Sequence, residues 1–460
     1  MRYLVLSVIA VLFVLFSCSD QSEELFDQTS DGLIMSTDTV RFDTLLSGRI
    51  SYTQRVRIIN KSHQKAFIPA LGLRNGAQSS YSITLNGLKA KQHNNVAISP
   101  GDSLLLLVDV LPPTTDSFGI LAYYDEINWI NPFNGNIQSV ILESWTFSAE
   151  SKEKSIICNE TWTKNTALIV TDSILVQSNC HLIIEEGISV FLDPGAVLFI
   201  QGQLEVRGTF ENPVIFRASR MDGHYKQAPG YWNGIYFLEG SRNNLISNTV
   251  IENSQTGIRM GTPDNDTIPD LLLKNVIIRH NSQFAIQSYN SDLYAENLLV
   301  YDIGYIPCFH AIGGSYSYVH STIANFPSQF GSQDPVMVFA DHLLGNEETL
   351  QDQLLINLQN SIFWGGGATS DLYISLIDES TNRLNVSNNI IYGKQEWTGN
   401  IVNEALEFIH FKNPFGYNYQ LDSLSPAINS GTFSSVLVDL SGQTRDSIPD
   451  LGAFEYFPNE

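Results

Sequence analysis

The chain has 460 residues, of which 43% are hydrophobic, 11% are aromatic and 16% are charged. This length is sufficient for two or three domains. The formal net charge of −23 argues against a nucleic-acid-binding protein and against direct electrostatic capture of polyanions.

The N-terminus has one arginine, then an apolar run from Tyr3 to Phe16, then Ser17 and Cys18. The run is shorter than a membrane span and is typical of a secretory signal peptide. Its end, a small residue before cysteine, resembles the lipobox of Gram-negative lipoproteins. We therefore predict a signal peptide over 1–17, lipid attachment at Cys18 and a tether over 18–30. The resemblance implies a lipid-anchored protein at the cell outer membrane, exposed on the surface; a plain signal peptide or an uncleaved anchor is the alternative.

Residues 31–150 contain short strand-like runs separated by Pro, Gly and Asn clusters. Examples are RVRIIN from Arg55, YSITLN from Tyr81 and DSLLLLVDV from Asp102. Regular short strands without helices predict an antiparallel β-sandwich of immunoglobulin-like type. The polar stretch SAESKEKS from Ser148 predicts a linker after it.

From Leu182 to Phe216 the even-numbered positions are mostly apolar and the odd-numbered positions are mostly polar. Such alternation is typical of β-strands with one buried face. Glycines interrupt the pattern every six to eight residues, at Gly187, Gly195, Gly202 and Gly208. Short strands in a repeat of slightly over about 20 residues predict a parallel β-helix. We expect roughly ten rungs over residues 155–415.

A second repeat is anchored on a small polar residue between two apolar positions. The aligned residues are Asn248, Asn275, Asn297, Ser321, Asn360 and Asn388. By strand alternation this residue would point into the core, where stacked asparagines can hydrogen-bond along the column. We predict a structural asparagine ladder.

Cys158 and Cys180 are 22 residues apart, which corresponds to one rung. They could therefore form a disulfide between neighbouring turns in an oxidising envelope, with two free buried thiols as the alternative. No paired cysteine and histidine spacing of a zinc site is present.

Several motifs together support a family resemblance. They are STDTVRFDT from Ser36, NGNIQSVIL from Asn134, GTFENPVIFRASRMDGHY from Gly208, PGYWNGIYF from Pro229, GGSYSYVHSTIANF from Gly313, SPAINSG from Ser425 and PDLGAFEY from Pro449. Their order resembles an uncharacterised family of Gram-negative outer-membrane and surface lipoproteins with right-handed parallel β-helix repeats. The resemblance implies an all-β chain, a right-handed coil and a C-terminal closing segment over 416–460. It implies no reaction.

Two acidic regions are weak candidates for chemistry. The insertion between Asn325 and Asn357 carries Asp341, His342, Glu347 and Glu348, which could serve a polysaccharide lyase or hydrolase. The charge placement in NEETLQDQL is also helix-like, and a covering lid is the simpler interpretation.

The second acidic region is PDNDTIPD, with Asp264, Asp266 and Asp270. It lacks the glycine and the terminal glutamate of a calcium loop, so a solvated turn is favoured over a metal site. We predict no cofactor, with calcium as the alternative.

Four residues after the ladder positions the sequence has larger side chains. Tyr301, Trp364 and Tyr392 could form an aromatic strip that stacks on sugar rings, and packing is the favoured alternative. Glu252 and Arg279, one rung apart, could form a stacked ion pair.

The leading interpretation is a cell-surface β-helix protein that serves non-catalytic glycan binding or adhesion, because a solenoid offers an extended face to a long polymer. A polysaccharide lyase or glycoside hydrolase is the first alternative, and a structural envelope component is the second. The sequence predicts no nucleic-acid partner.

Overall fold

The structure is a computed structural model that describes residues 32–458 except 115–119, 153–154, 164–166, 264–267, 327–333, 346–347 and 366–368. The chain divides into two compact units between Ser148 and Ala149. The predicted signal peptide, Cys18 and the tether lie outside the described residues.

The first unit is a sandwich of two five-stranded sheets, ordered β1-β3-β8-β5-β6 and β2-β10-β9-β4-β7. Its strands are β1 (Leu33–Met35), β2 (Thr39–Leu46), β3 (Gln54–Asn60), β4 (Ala66–Leu73), β5 (Tyr81–Leu85), β6 (Leu88–Ala90), β7 (Gln92–Ile98), β8 (Ser103–Val110), β9 (Leu121–Ile130) and β10 (Ile137–Phe147). A short 3₁₀ turn spans Gly76–Gln78.

The core of this sandwich lies between its two sheets, where alternate residues such as Val56, Ile58 and Leu106 are buried. The strand β2 pairs in parallel with β10, whereas β1 pairs antiparallel with β3. The first described strands are thus divided between both sheets, consistent with the predicted immunoglobulin-like sandwich.

The second unit is dominated by one 25-stranded sheet. Its strands up to residue 260 are β11 (Ala149–Ser151), β12 (Ile156–Ile157), β13 (Glu160–Trp162), β14 (Ala167–Val170), β15 (Ile174–Val176), β16 (His181–Glu185), β17 (Ser189–Leu192), β18 (Val197–Ile200), β19 (Gln203–Arg207), β20 (Val214–Ala218), β21 (Gly234–Phe237), β22 (Asn244–Glu252) and β23 (Thr256–Met260). Its later strands are β24 (Leu271–Asn281), β25 (Phe284–Glu296), β26 (Leu299–Ile303), β27 (Cys308–Val319), β28 (Thr322–Ala324), β29 (Met337–Ala340), β32 (Leu354–Gln359), β33 (Ile362–Trp364), β34 (Leu372–Ser375), β35 (Arg383–Ser387), β36 (Ile390–Tyr392) and β37 (Ile401–Asn403). A hairpin of β30 (His342–Leu344) and β31 (Thr349–Gln351) lies outside this sheet, as do β38 (Phe411–Asn413) and β39 (Asn418–Leu421). Two further 3₁₀ turns span Gly223–Gln227 and Pro414–Gly416.

These strands coil into a parallel β-helix with three columns. The first column begins β11, β14, β17; the second begins β12, β15, β18; the third begins β13, β16, β19. From β22 onwards a single long strand often turns a corner and contributes to two columns. The described strands complete nine rungs, and β36 and β37 continue the first column. This agrees with the roughly ten rungs predicted from the repeat length.

The interior of the coil is a continuous apolar core from Ile157 to Ile391. Inward residues on consecutive rungs stack directly, as Leu182 does on Leu204. Cys158 and Cys180 form a disulfide with Cα atoms 4.7 Å apart, and it joins the first two rungs. Each inward residue is removed from water by its neighbours on the rungs above and below, so burial along the coil stabilises the stack.

The asparagine ladder lies at the corner between the third and first columns. Asn248, for example, has a φ of 44°, in the left-handed region that asparagine tolerates. Because the chain turns there, strand alternation does not continue through the corner. Ile251 is therefore inward and fully buried, while Val250 faces outward. The prediction that the ladder side chains point into the core was wrong.

One rung departs from the predicted alignment. Val319 pairs with Glu296 and with Gln359, so His320 occupies the ladder position that we assigned to Ser321. His320 has a φ of 49°, and its Nε2 lies 3.0 Å from Nδ2 of Asn360. The assignment of Ser321 was wrong by one residue, because histidine replaces asparagine at this corner.

Residues 404–458, which we call the strap, lie along the first column and the ladder corner. Arg445 donates to Asn297 at 2.9 Å, and the amide of Thr432 donates to Asn360 at 3.0 Å. The strap thus contacts several rungs along the side of the coil. The predicted closing segment over 416–460 lies within it as far as residue 458, the last residue described.

Candidate functional site

The predicted aromatic strip is covered by the strap. Tyr301 is 3% exposed and Trp364 is 0% exposed, and the indole Nε1 of Trp364 donates to the carbonyl of Leu406 at 2.9 Å. Tyr392 is half-buried with its ring 5.1 Å from that of Trp364. These rings pack the strap against the coil, so an open sugar-stacking strip at these residues was a wrong hypothesis.

The stacked pair of Glu252 and Arg279 is present, with Nε and Oε2 2.7 Å apart. Arg217 on the preceding rung approaches the other carboxylate oxygen at 2.6 Å, and Arg279 donates to the Tyr301 hydroxyl at 2.7 Å. Burial raises the pKa of Tyr301, so its phenol stays protonated. The buried carboxylate between two guanidiniums joins three consecutive rungs and is a structural element.

A histidine and an aspartate form a second pair beside this cluster. His280 Nδ1 lies 2.6 Å from Asp302 Oδ2, and the ring of Tyr417 from the strap lies 5.2 Å from the imidazole ring. His280 is 3% exposed, whereas the side chain of Asp302 is 18% exposed. The strap therefore covers the imidazole, and the carboxylate stays partly accessible.

The acidic insertion forms the antiparallel hairpin β30–β31, and the helix-like pattern in NEETLQDQL was misleading. Asp341 is fully buried and accepts from the amides of Ile377 and Asp378, from Asn382 and from His342, at distances of 2.7 to 3.1 Å. Burial raises the pKa of this carboxyl, but these hydrogen bonds outweigh it and the pKa lies below its usual value.

Both oxygens of Asp341 are thus occupied, and the carboxylate ties the hairpin to the loop that follows β34. This geometry does not suit a catalytic base, which needs a free lone pair. Glu348 is exposed, and Glu347 lies outside the described residues.

The calcium hypothesis also receives no support from the visible geometry. Asp270 is buried and accepts from the Thr262 hydroxyl at 2.7 Å and from the amide of Asp292 at 3.0 Å, so it closes a turn. Asp264 and Asp266 lie outside the described residues. Within the described ranges no group of three His, Cys, Asp or Glu side chains could hold a metal ion.

An aromatic surface that the sequence did not reveal lies on the second column. The strand register places five outward residues in line on consecutive rungs, namely Phe199, Tyr236, Arg259, Gln287 and Phe309. Neighbouring rungs in such a sheet are about 4.8 Å apart, so the line is about 19 Å long. The aromatic members are half-buried, which leaves part of each ring accessible.

Three more aromatic side chains lie beside this line. We call the whole surface the aromatic face; its members are Phe199, Tyr236, Arg259, Phe284, Tyr289, Tyr305 and Phe309. Consecutive contacts connect Phe199, Tyr236, Arg259, Tyr289, Phe309, Phe284 and Tyr305, with centroid separations of 5.5 to 6.3 Å. The edge-on contacts among these rings hold their orientations, because edge-to-face packing is favourable at such distances.

Arg259 is at the centre of the aromatic face. Its guanidinium carbon lies 5.6 Å from the Tyr236 ring centre and 5.9 Å from that of Tyr289. The cation is therefore held by two rings, in an arrangement that cation–π attraction favours.

A groove of about 300 Å³ with a mixed lining lies on the third column. Within it Asn385 donates to Asn357 at 2.7 Å, and Asn357 donates to Ser317 at 2.9 Å. These side chains largely satisfy one another, and Arg383 is the charged group of the lining. The groove lies on a different column from the aromatic face.

The aromatic face escaped prediction because its members come from second-column strands separated by loops of unequal length. The asparagine repeat aligns only the strands on either side of the ladder corner. One local signal was present: between Leu182 and Phe216, Phe199 is a large apolar residue at an odd, outward position.

The described residues contain no helix that is long and apolar enough to cross a membrane.

Among solved structures, the chain is similar to PapD-like domain 7 of human CEP192, at 10% identity and a TM-score of 0.19, covering 30% of this chain and 99% of that one. A family 123 glycoside hydrolase from Clostridium perfringens matches at 12% identity and a TM-score of 0.19, covering 27% of this chain and 26% of that one. A protein of unknown function from Porphyromonas gingivalis W83 matches at 12% identity and a TM-score of 0.19, covering 29% and 60%. Scores this low carry no functional argument.

No curated protein matches the chain in sequence. A family model described as the right handed beta helix region matches residues 155–323. That stretch contains the first seven rungs apart from the strand β11, and the whole aromatic face. The parallel strand pairing of these rungs and the family match agree, and the second unit contains a right-handed β-helix region.

Proposed function

We propose that the protein is a lipid-anchored cell-surface protein that binds an extracellular polysaccharide along its aromatic face, without catalysis. The observation that supports this most is the line of Phe199, Tyr236, Arg259, Gln287 and Phe309 over five rungs of the second column, with three further rings beside it. Aromatic side chains give rigid contact area with an apolar face and, for tyrosine, a polar edge.

The shape of the surface favours a linear polymer over a compact ligand. The rings follow the axis of the coil, and a solenoid presents an extended face of this type. Aromatic and arginine side chains also anchor protein partners, so the preference for a polymer rests on the linear arrangement of the rings and not on the residue types alone.

Binding is favoured over hydrolysis because of the residue types on this surface. A glycosidase needs two carboxylates about 5 to 10 Å apart across the scissile bond. The five in-line residues and the three flanking rings include no carboxylate. Any cleavage would therefore have to use residues elsewhere in the chain.

The test is a glycan array with the purified ectodomain, followed by calorimetry on the polymers that bind. Tyr236→Ala removes the ring next to Arg259 and should weaken binding about fivefold, since one such aromatic contact contributes about 1 kcal/mol. Tyr373→Ala is the matched control: Tyr373 is an exposed tyrosine on the same line, beyond Val338, which ends the aromatic run.

Equal affinity of Tyr236→Ala and wild type would place binding elsewhere and contradict the proposal. Product analysis of each bound polymer separates binding from cleavage, and the appearance of shortened or unsaturated products would favour the lyase or hydrolase alternative. No binding to any glycan would favour the structural envelope component.

A further inference from the structure

The aromatic face contains one cation, Arg259, and no acidic side chain among the residues that the structure describes pairs with it. Along the line from Phe199 to Phe309, Arg259 is the one charged side chain, and it is exposed. It forms ring contacts with Tyr236 and Tyr289, and no ion pair with any described residue. The surface therefore carries a local positive charge.

Pairing is common among the other outward cations of the coil. Arg207 pairs with Glu205 at 2.7 Å, Arg279 with Glu252 at 2.7 Å and Lys274 with Glu296 at 3.3 Å. In a chain with a net charge of −23, acidic side chains that could neutralise an arginine are plentiful. Within the described ranges no acidic side chain pairs with Arg259, so its N–H donors are available to a ligand.

We propose that the bound polysaccharide carries isolated acidic groups, carboxylate or sulfate, and that Arg259 binds one of them; this inference rests on the proposed function. A guanidinium matches both anions, because its parallel N–H groups can donate to two oxygens at once. The two tyrosine rings restrict the side chain, so less conformational entropy is lost on binding.

The acidic groups must be sparse. Arg259 is the one cation in a line that runs about 19 Å from its first to its fifth rung. A polymer with an acidic group on every sugar would place further negative charges over the uncharged rings, near a strongly negative protein. Such a polymer gains one ion pair and is repelled elsewhere.

The experiment uses one neutral polymer that binds the wild-type protein, together with three derivatives of it. One derivative has a small fraction of its sugars oxidised to uronates, one has a small fraction sulfated, and one is oxidised at nearly every sugar. Affinity for the sparsely acidic forms should exceed that for the parent about tenfold, as expected for one charge-assisted contact. The fully oxidised form should bind more weakly than the sparse forms, and added salt should narrow this difference.

Three variants test whether Arg259 is responsible for the preference. Arg259→Gln should bind the sparse forms and the neutral parent equally, whereas Arg383→Gln, which alters an exposed arginine in the groove of the third column, should behave as wild type. Arg259→Lys keeps the charge but loses the paired donors, and should recover part of the preference. The ratio of the affinities for the sparsely oxidised and the sparsely sulfated polymer shows whether carboxylate or sulfate is preferred.

Equal binding of parent and sparse forms by the wild type would overturn the inference while leaving glycan binding intact. Preference for the fully oxidised polymer would overturn it as well. Failure of the wild-type protein to bind any neutral or acidic polymer would overturn the proposed function, and this inference with it.

Discussion

His310 is a buried base whose protonation opposes folding. Its Nε2 lies 2.9 Å from the Tyr318 hydroxyl, and its ring stacks on Phe339 at 4.8 Å. Burial lowers the pKa of His310 to about 3, against about 6.5 in an unfolded chain. Below about pH 6.5 the unfolded chain therefore binds a proton that the folded chain excludes, and stability is lost as the pH falls. Between about pH 7 and pH 5 the wild type should lose about 2 kcal/mol relative to His310→Gln.

Urea unfolding of both proteins over this pH range measures that difference directly. Taking the difference cancels other titrating groups, such as His320, whose pKa burial also lowers to about 3, and Asp450, whose pKa burial raises to about 6. If the free energies of unfolding of the wild type and of His310→Gln change equally with pH, protonation of His310 is not responsible for the loss of stability.

Single residues also show where sequence reasoning succeeds and fails. Alternation identified inward positions such as Leu198 and Val206, because period two holds wherever the backbone stays extended. It failed at Asn248, where a positive φ interrupts the period. Tyr301 and Trp364 faced outward as the repeat allowed, yet they are buried by a strap that lies more than forty residues downstream of Trp364. The repeat pattern around these two residues does not indicate that a segment distant in the sequence will cover them.

At the scale of elements, the strap depends on the ladder corner for its attachment. The side chain of Asn360 donates to the carbonyl of Thr432 at 2.6 Å and accepts from its amide at 3.0 Å. Replacement with alanine leaves both backbone groups without this partner in a partly buried setting, which costs about 1 kcal/mol for each group, at the low end of the range for unsatisfied groups. Asn360→Ala should therefore lower the free energy of unfolding by about 2 kcal/mol or more and increase proteolytic cleavage between residues 432 and 452.

The matched control for this prediction is Asn388→Ala, at the equivalent corner of the next rung. Asn388 has a φ of 55°, close to the 53° of Asn360, so both variants place alanine in the left-handed region at similar cost. The side chain of Asn388 makes no hydrogen bond to the part of the chain that is described. If the two variants lose equal stability, the corner conformation and not the strap contact is responsible.

Elements differ in how well their lengths and spacing can be predicted. The spacing between Cys158 and Cys180 equals one rung because the early turns have no insertions, and the disulfide follows from that regularity. The hairpin from His342 to Gln351 sits in an insertion outside the coil, where no repeat constrains its conformation. Its charge pattern resembled a helix, but Asp341 is bonded to the following loop and fixes the hairpin against it.

At the scale of the whole molecule, the four cysteines restrict where a lipid can be attached. Cys158 and Cys180 form a disulfide and Cys308 is buried, so Cys18 is the remaining thiol for acylation. Each buried CH₂ of an acyl chain contributes about 0.8 kcal/mol of membrane affinity, and several chains on one cysteine give a stable anchor.

We therefore expect wild type and Cys308→Ala to incorporate a metabolic fatty-acid label and to sediment with outer membranes. Cys18→Ala should lose the label and leave the membrane fraction; equal labelling of all three proteins would show that Cys18 is not the site. The strap side of the coil is covered by its own chain, and the aromatic face on the second column is the surface that we propose for a polymer outside the cell.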